Sequence, residues 1–190
     1  MDATPFWSAL EQLRACIHSR NNDAVEELFM ELDLVTIESG KWPVGFLGGL
    51  EELLTDPDFL TLTNSWKLLY FINNNWEQLS EQERERLKKL VVDTFDKHAD
   101  WMGAFVSSEI LGEHYADEST LATLARLAHV ANLPARALAP HGIEYLAKTT
   151  QLEALRVLAV CQLQELRQSD SEEVRQEALI SLSKLGSTEN

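Results

Sequence analysis

Metal or acid–base chemistry in this chain would have to start from "EILGEHYADE", where Glu109 and Glu113 stand at i, i+4 and His114 follows the second. A carboxylate-bridged metal centre in a helical bundle needs Glu-x-x-His at i, i+3, supplied twice from facing helices. Adjacent Glu113 and His114 instead diverge by about 100° on a helix, so the spacing predicts a solvated helix end and no metal ligands. His129 in "RLAHVA" and His141 in "APHG" lack a local partner and read as packing residues. Cys16 and Cys161 lie far apart in apolar helical patterns, with no CxxC pair and no neighbouring base. They read as buried, inert thiols of a reducing cytoplasm. Gly45, Gly48 and Gly49 precede acidic residues and no G-K-[ST] follows, so they read as turn and close-packing glycines and not as a phosphate cradle. No G-x-S-x-G, H-E-x-x-H or kinase-type signature occurs. These residues predict a protein without catalytic residues, cofactor or metal.

Binding is the better-supported chemistry. The 190 residues carry 31 acids against 16 bases, a formal charge of −15, and residues 1–62 hold 12 of the acids and 3 of the bases. Such a surface repels nucleic-acid phosphate, whose affinity for proteins rests on Lys and Arg displacing counterions. It steers a basic protein toward it. Within "DAVEELFMELDLV", Val25, Leu28, Phe29 and Leu32 form an inward stripe, and Asp23, Glu26, Glu27, Glu31 and Asp33 form an acidic stripe on the other side. Five tryptophans, a residue enriched at binding hot spots, are many for this length; at least three read as packing residues, and Trp42, in a turn beside Pro43, as the one most exposed.

The elements that must position these residues are helices throughout. Thr4-Pro5 reads as N-cap and N1 proline of a helix to about Ser19, and Asn22 as the cap of the next. A short helix from about Pro43 to Leu54 ends at Asp56-Pro57. Ser80 and Glu83 have capping-box spacing, Asp100 and then Asp117 or Ser119 read as caps, Pro134 opens a helix that Pro140 should kink or split, and Ser169 and Glu172 repeat the box, with Gly186 as the stop. About ten or eleven helices with short links predict an all-α chain of stacked antiparallel hairpins, with an irregular helical bundle as the alternative. We expect one domain over 1–190, irregular and acidic over 1–62 and more regular over 63–190. No segment has the roughly 18 apolar residues of a membrane span, and "MDATPFWSALEQ" has no signal-peptide pattern.

A repeat underlies the later helices. Ala104 with Leu111-Gly112, Ala139 with Leu146-Ala147 and Ala178 with Leu185-Gly186 share one spacing, each followed by a polar turn. The last copy, "DSEEVRQEALISLSKLG", resembles the HEAT repeat, especially its short bacterial variety, through Asp170, Val174-Arg175, Ala178 and Leu185-Gly186. The resemblance covers about 18 residues; the earlier copies lack the Val-Arg pair. It implies an α-solenoid in which Asp170 and Arg175 tie adjacent repeats together. It also implies that the last helix caps the array, with Glu173, Gln176, Glu177 and Lys184 outward, since its second helix is absent. The expected function is therefore a protein-binding module. An inhibitor or immunity-type protein would cover a basic toxin or nuclease domain; a scaffold or adaptor subunit is the alternative. A HEAT-like nucleic-acid enzyme would need a basic concave face, and the single basic cluster, Arg84, Arg86, Lys88 and Lys89, is interleaved with Glu83 and Glu85.

Overall fold

The computed structural model describes residues 3–98 and 100–186. It is all-α: 80% helix in eleven α-helices, with no strand among the described residues. The chain divides into two compact units, Met1–Leu90 and Val91–Asn190. The division falls inside a helix and not near residue 62, where the charge balance shifts.

The first unit holds α1 (Thr4–Ser19), α2 (Asn22–Ser39), α3 (Phe46–Thr55), α4 (Pro57–Leu60), α5 (Trp66–Asn74) and a 3-10 turn at Trp76–Gln78. Helix α1 packs on α2 and α3, and α2 packs on α5. Phe6, Leu10, Leu13, Val25, Phe29 and Leu32 are fully buried between them, as their helical spacing predicts. Arg20 ends α1 in the left-handed region (φ 50), and the backbone N–H groups of Arg20 and Asn21 return to the last carbonyls of α1. Asn21, and not Asn22, is the cap of α2, accepting from Ala24 N at 3.2 Å. Asn22 instead accepts from Thr63 N at 2.9 Å and pins the chain ahead of α5. Gly40 (φ 69) closes α2, a conformation that costs a residue with a Cβ about 1–2 kcal/mol.

Helix α6 (Glu81–Thr94) opens on the predicted capping box: Ser80 N donates to Glu83 Oε2 at 2.9 Å and Glu83 N to Ser80 Oγ at 3.4 Å. The second unit continues with a 3-10 turn at Phe95–Lys97 and then α7 (Trp101–His114), α8 (Glu118–Leu127), α9 (Leu133–Thr149), α10 (Glu153–Leu166) and α11 (Glu172–Gly186). Asp100, Asp117 and Asn132 cap α7, α8 and α9. Pro140 does not split α9, which runs unbroken from Leu133 to Thr149. Glu172 begins α11, so Ser169 is not in the N-cap position; its hydroxyl accepts from Ser171 N in the preceding turn. Helix α9 packs against α7, α8, α10 and α11, and Ala104, Ala139 and Ala178, the small residues of the repeat, are fully buried. Gly112 and Gly142 bring α7 and α9 to backbone contact, since a Cβ on Gly112 would stand 2.9 Å from the backbone nitrogen of Leu146.

Candidate functional site

The solvent face of α2 combines charge and exposed apolar surface. Asp23, Glu27 and Glu31 are exposed as the acidic stripe predicts, joined by Glu38. Glu26 and Asp33 are not part of that free face. Glu26 bonds Lys67 Nζ on α5 at 2.9 Å, and Asp33 is half-buried, its carboxyl raised above the usual range by burial despite Asn75 and Lys67. Between the two sets runs a strip that the sequence reading missed: Met30, Leu34 and Ile37, 62%, 63% and 78% exposed. Its spacing, i, i+4, i+7, is a helical stripe. The signal was present: with Val25, Leu28, Phe29 and Leu32 assigned inward, Met30, Leu34 and Ile37 are the apolar residues left over on the far side. A monomer rarely shows clustered large aliphatics outward without a use for them.

A groove of about 350 Å³ runs along the α1 side of the same face. Its lining includes Ala15 and the buried Cys16 of α1 and Ala24, Glu27, Leu28 and Glu31 of α2, with Leu28 buried and the two carboxylates exposed. The surface therefore has aliphatic anchors bordered by carboxylates, which is the layout of a protein interface with an apolar centre and a polar rim.

Trp42 is not the exposed tryptophan. It is half-buried, stacks on Phe71 (5.2 Å between centroids, 17°), meets Phe46 edge-on and donates from Nε1 to Thr36 Oγ1 at 3.2 Å. The turn brings its ring back over α5, a tertiary return that local sequence does not encode. Trp7 and Trp101 are the most exposed of the five.

Elsewhere the predicted positions separate. Arg175 donates to the backbone carbonyls of Ser169 (2.6 Å) and Asp170 (3.0 Å). It thus braces the turn before its own helix and does not pair with the exposed Asp170 side chain or reach another repeat. Cys16 is buried and its thiol pushed up by burial, whereas Cys161 is exposed on α10, contrary to expectation. His129 is exposed at the edge of a cleft of about 440 Å³ that also takes in Arg136, Gln162 and Ser171. His141 does have a local partner, Glu144 at i+3, and distant ones in Glu109 and Glu177. Of the α11 positions expected outward, Glu173, Gln176 and Lys184 are exposed, although Lys184 also reaches Glu144, whereas Glu177 is half-buried in that cluster. Among the described residues no group of three or more His, Cys, Asp or Glu is placed to hold a metal ion, and no helix is long and apolar enough to cross a membrane. No protein-family model, curated protein or solved structure matches this chain.

Proposed function

We propose that this chain is a non-catalytic protein-binding module that covers and neutralises a basic protein, such as a toxin or nuclease domain, through the outward face of α2. The observation that carries the reading is the strip Met30–Leu34–Ile37 bordered by Asp23, Glu27, Glu31 and Glu38. Desolvated aliphatic anchors supply affinity, and the carboxylates select a partner with a basic rim and speed its approach. What supports a helical-repeat array of the HEAT type is that α9 packs against the helices one and two places away on either side of it in the chain, α7, α8, α10 and α11, with Ala104, Ala139 and Ala178 buried.

The test starts with a photo-crosslinking amino acid at position 34, which identifies the partner by direct contact. The purified partner is then titrated with the wild type and with Glu27→Lys/Glu31→Lys. We expect a basic partner, affinity that falls with salt, and a loss of at least about hundredfold on the double reversal. An acidic or neutral partner, or an affinity indifferent to both reversals, overturns the reading.

A second reading, a HEAT-like scaffold or adaptor subunit, is favoured by Leu152, Val157 and Leu158, exposed on and just before α10. It requires crosslinks from position 158 to a constitutive assembly in place of crosslinks from position 34.

A further inference from the structure

The second unit buries a charged centre that the α2 reading does not use. His141 on α9 is only about 5% exposed. Its ring stacks on Phe105 of α7 at 4.6 Å and meets Tyr145 edge-on at 5.0 Å. Nε2 lies 3.8 Å from Glu109 of α7; Nδ1 lies 3.8 Å from Glu144 on its own helix and 3.7 Å from Glu177 of α11. Neither nitrogen has a hydrogen-bond partner. These separations are too long for a hydrogen bond, so a neutral ring gains little from the carboxylates around it. A charged ring gains a Coulombic attraction to all three, strengthened by burial.

The other charges leave a place for that proton. Glu144, 1% exposed, accepts from Lys148 Nζ at 2.5 Å and from Lys184 Nζ of α11 at 3.2 Å. Three carboxylates thus face two ammonium groups, both of them on Glu144, and one proton on His141 balances the set. Glu113 of α7 adds a further negative charge on the Tyr145 side. Across the same seam, the Ser181 hydroxyl of α11 donates to the Pro140 carbonyl at 3.4 Å.

We propose that this centre is a proton-operated clamp: protonated His141 ties α7 and α11 to α9, and loss of that single proton loosens α11. Burial by itself drives the imidazole toward its neutral form, but Glu109, Glu144 and Glu177 outweigh it and hold the pKa above the ordinary value. Burial likewise disfavours the Glu144 carboxylate, yet His141, Lys148 and Lys184 hold it down at about 2, so it stays ionised while His141 titrates. Tyr145, pushed up to about 12 by burial and by Glu109, stays neutral. A group whose pKa is higher folded than unfolded stabilises fully below its unfolded value, about 6.5, and loses that stabilisation as pH rises through the folded value.

The experiment is a histidine ring NMR titration of the full chain, with the His141 signal assigned by its absence in His141→Gln. Amide exchange in α11, corrected for base catalysis, is followed over the same pH range. The expected midpoint lies above about 6.5. Glu109→Gln and Glu177→Gln each lower it, and Glu172→Gln, on the exposed first turn of α11, leaves it in place. Protection of α11 falls up to tenfold per unit of pKa elevation once the pH passes the midpoint, and falls less in Glu177→Gln. A wild-type midpoint at or below the ordinary value, a midpoint unmoved by Glu177→Gln, or α11 protection independent of pH overturns the clamp. The two carboxamide variants keep the test decisive even where His141→Gln does not fold.

Discussion

Gly112→Ala is the sharpest probe of how the second unit is built. A Cβ at residue 112 would stand 2.6 Å from Tyr145 Cβ and 2.9 Å from the Leu146 nitrogen, and closer still to the carbonyl oxygen of Gly142. Relaxed contacts run near 3.5–4.0 Å, so α7 and α9 must part by about 1 Å. The obstacle is backbone, which has no rotamer to change, and a gap of that size forfeits about a quarter to a half of each contact along the seam. Overpacking of this kind costs about 1–3 kcal/mol, and the upper half applies where backbone meets backbone. Alanine returns about 1 kcal/mol of helix propensity. The net expectation is a loss of about 1–2 kcal/mol.

Gly48→Ala is the internal control. A Cβ there meets nothing within 4 Å and the position is helical, so the propensity gain of about 0.5–1 kcal/mol should appear uncancelled. Gly142→Ala should fall between the two, because its nearest obstacle is the Leu124 side chain at 2.8 Å, which can rotate, although the Ser108 carbonyl follows at 3.0 Å. Calorimetric unfolding of the three variants checks the order, at about 4–8 °C per kcal/mol for a unit of this size. A Gly112→Ala protein as stable as the wild type, or more so, refutes the close-approach argument.

Three further outcomes follow from local geometry. Glu83→Gln should destabilise α6 at neutral pH and be nearly neutral near pH 3: Ser80 donates to Glu83 through hydroxyl and backbone N–H and holds its carboxyl below the usual range. That stabilisation is present above the unfolded pKa and lost as pH falls through the folded one; urea unfolding at both pH values measures it. Arg20→Gly should stabilise the first unit by up to about 1 kcal/mol, since φ 50 suits glycine at a helix C-terminus. A thiol reagent applied to the folded chain should label Cys161 fast and Cys16 only after unfolding, read by mass spectrometry of the two peptides.

Helix number, type and most core stripes were legible from residue order alone, because a 3.6-residue period and a cap are written within a few positions of one another. Val25, Leu28, Phe29 and Leu32 are buried as their spacing requires, and the boxes and caps at Ser80, Asp100 and Asp117 start the helices there. Where the reading failed, the deciding partner lay far along the chain. Trp42 is folded onto Phe71, Glu26 is held by Lys67, and Cys161 is left uncovered on a helix whose inner stripe is filled by other residues.

The acidic character of α2 was a property of the sequence; which of its carboxylates are free was decided by α5 packing along one flank. In the same way, His141 and Glu144 are neighbours by helical spacing, but only the packing of α7 and α11 on α9 brings Glu109 and Glu177 to the same imidazole. Periodicity records which side of a helix is apolar. Which charges meet across helices depends on crossing geometry, and for α7 on α9 that rests on two glycines, Gly112 and Gly142, small enough to let the backbones touch.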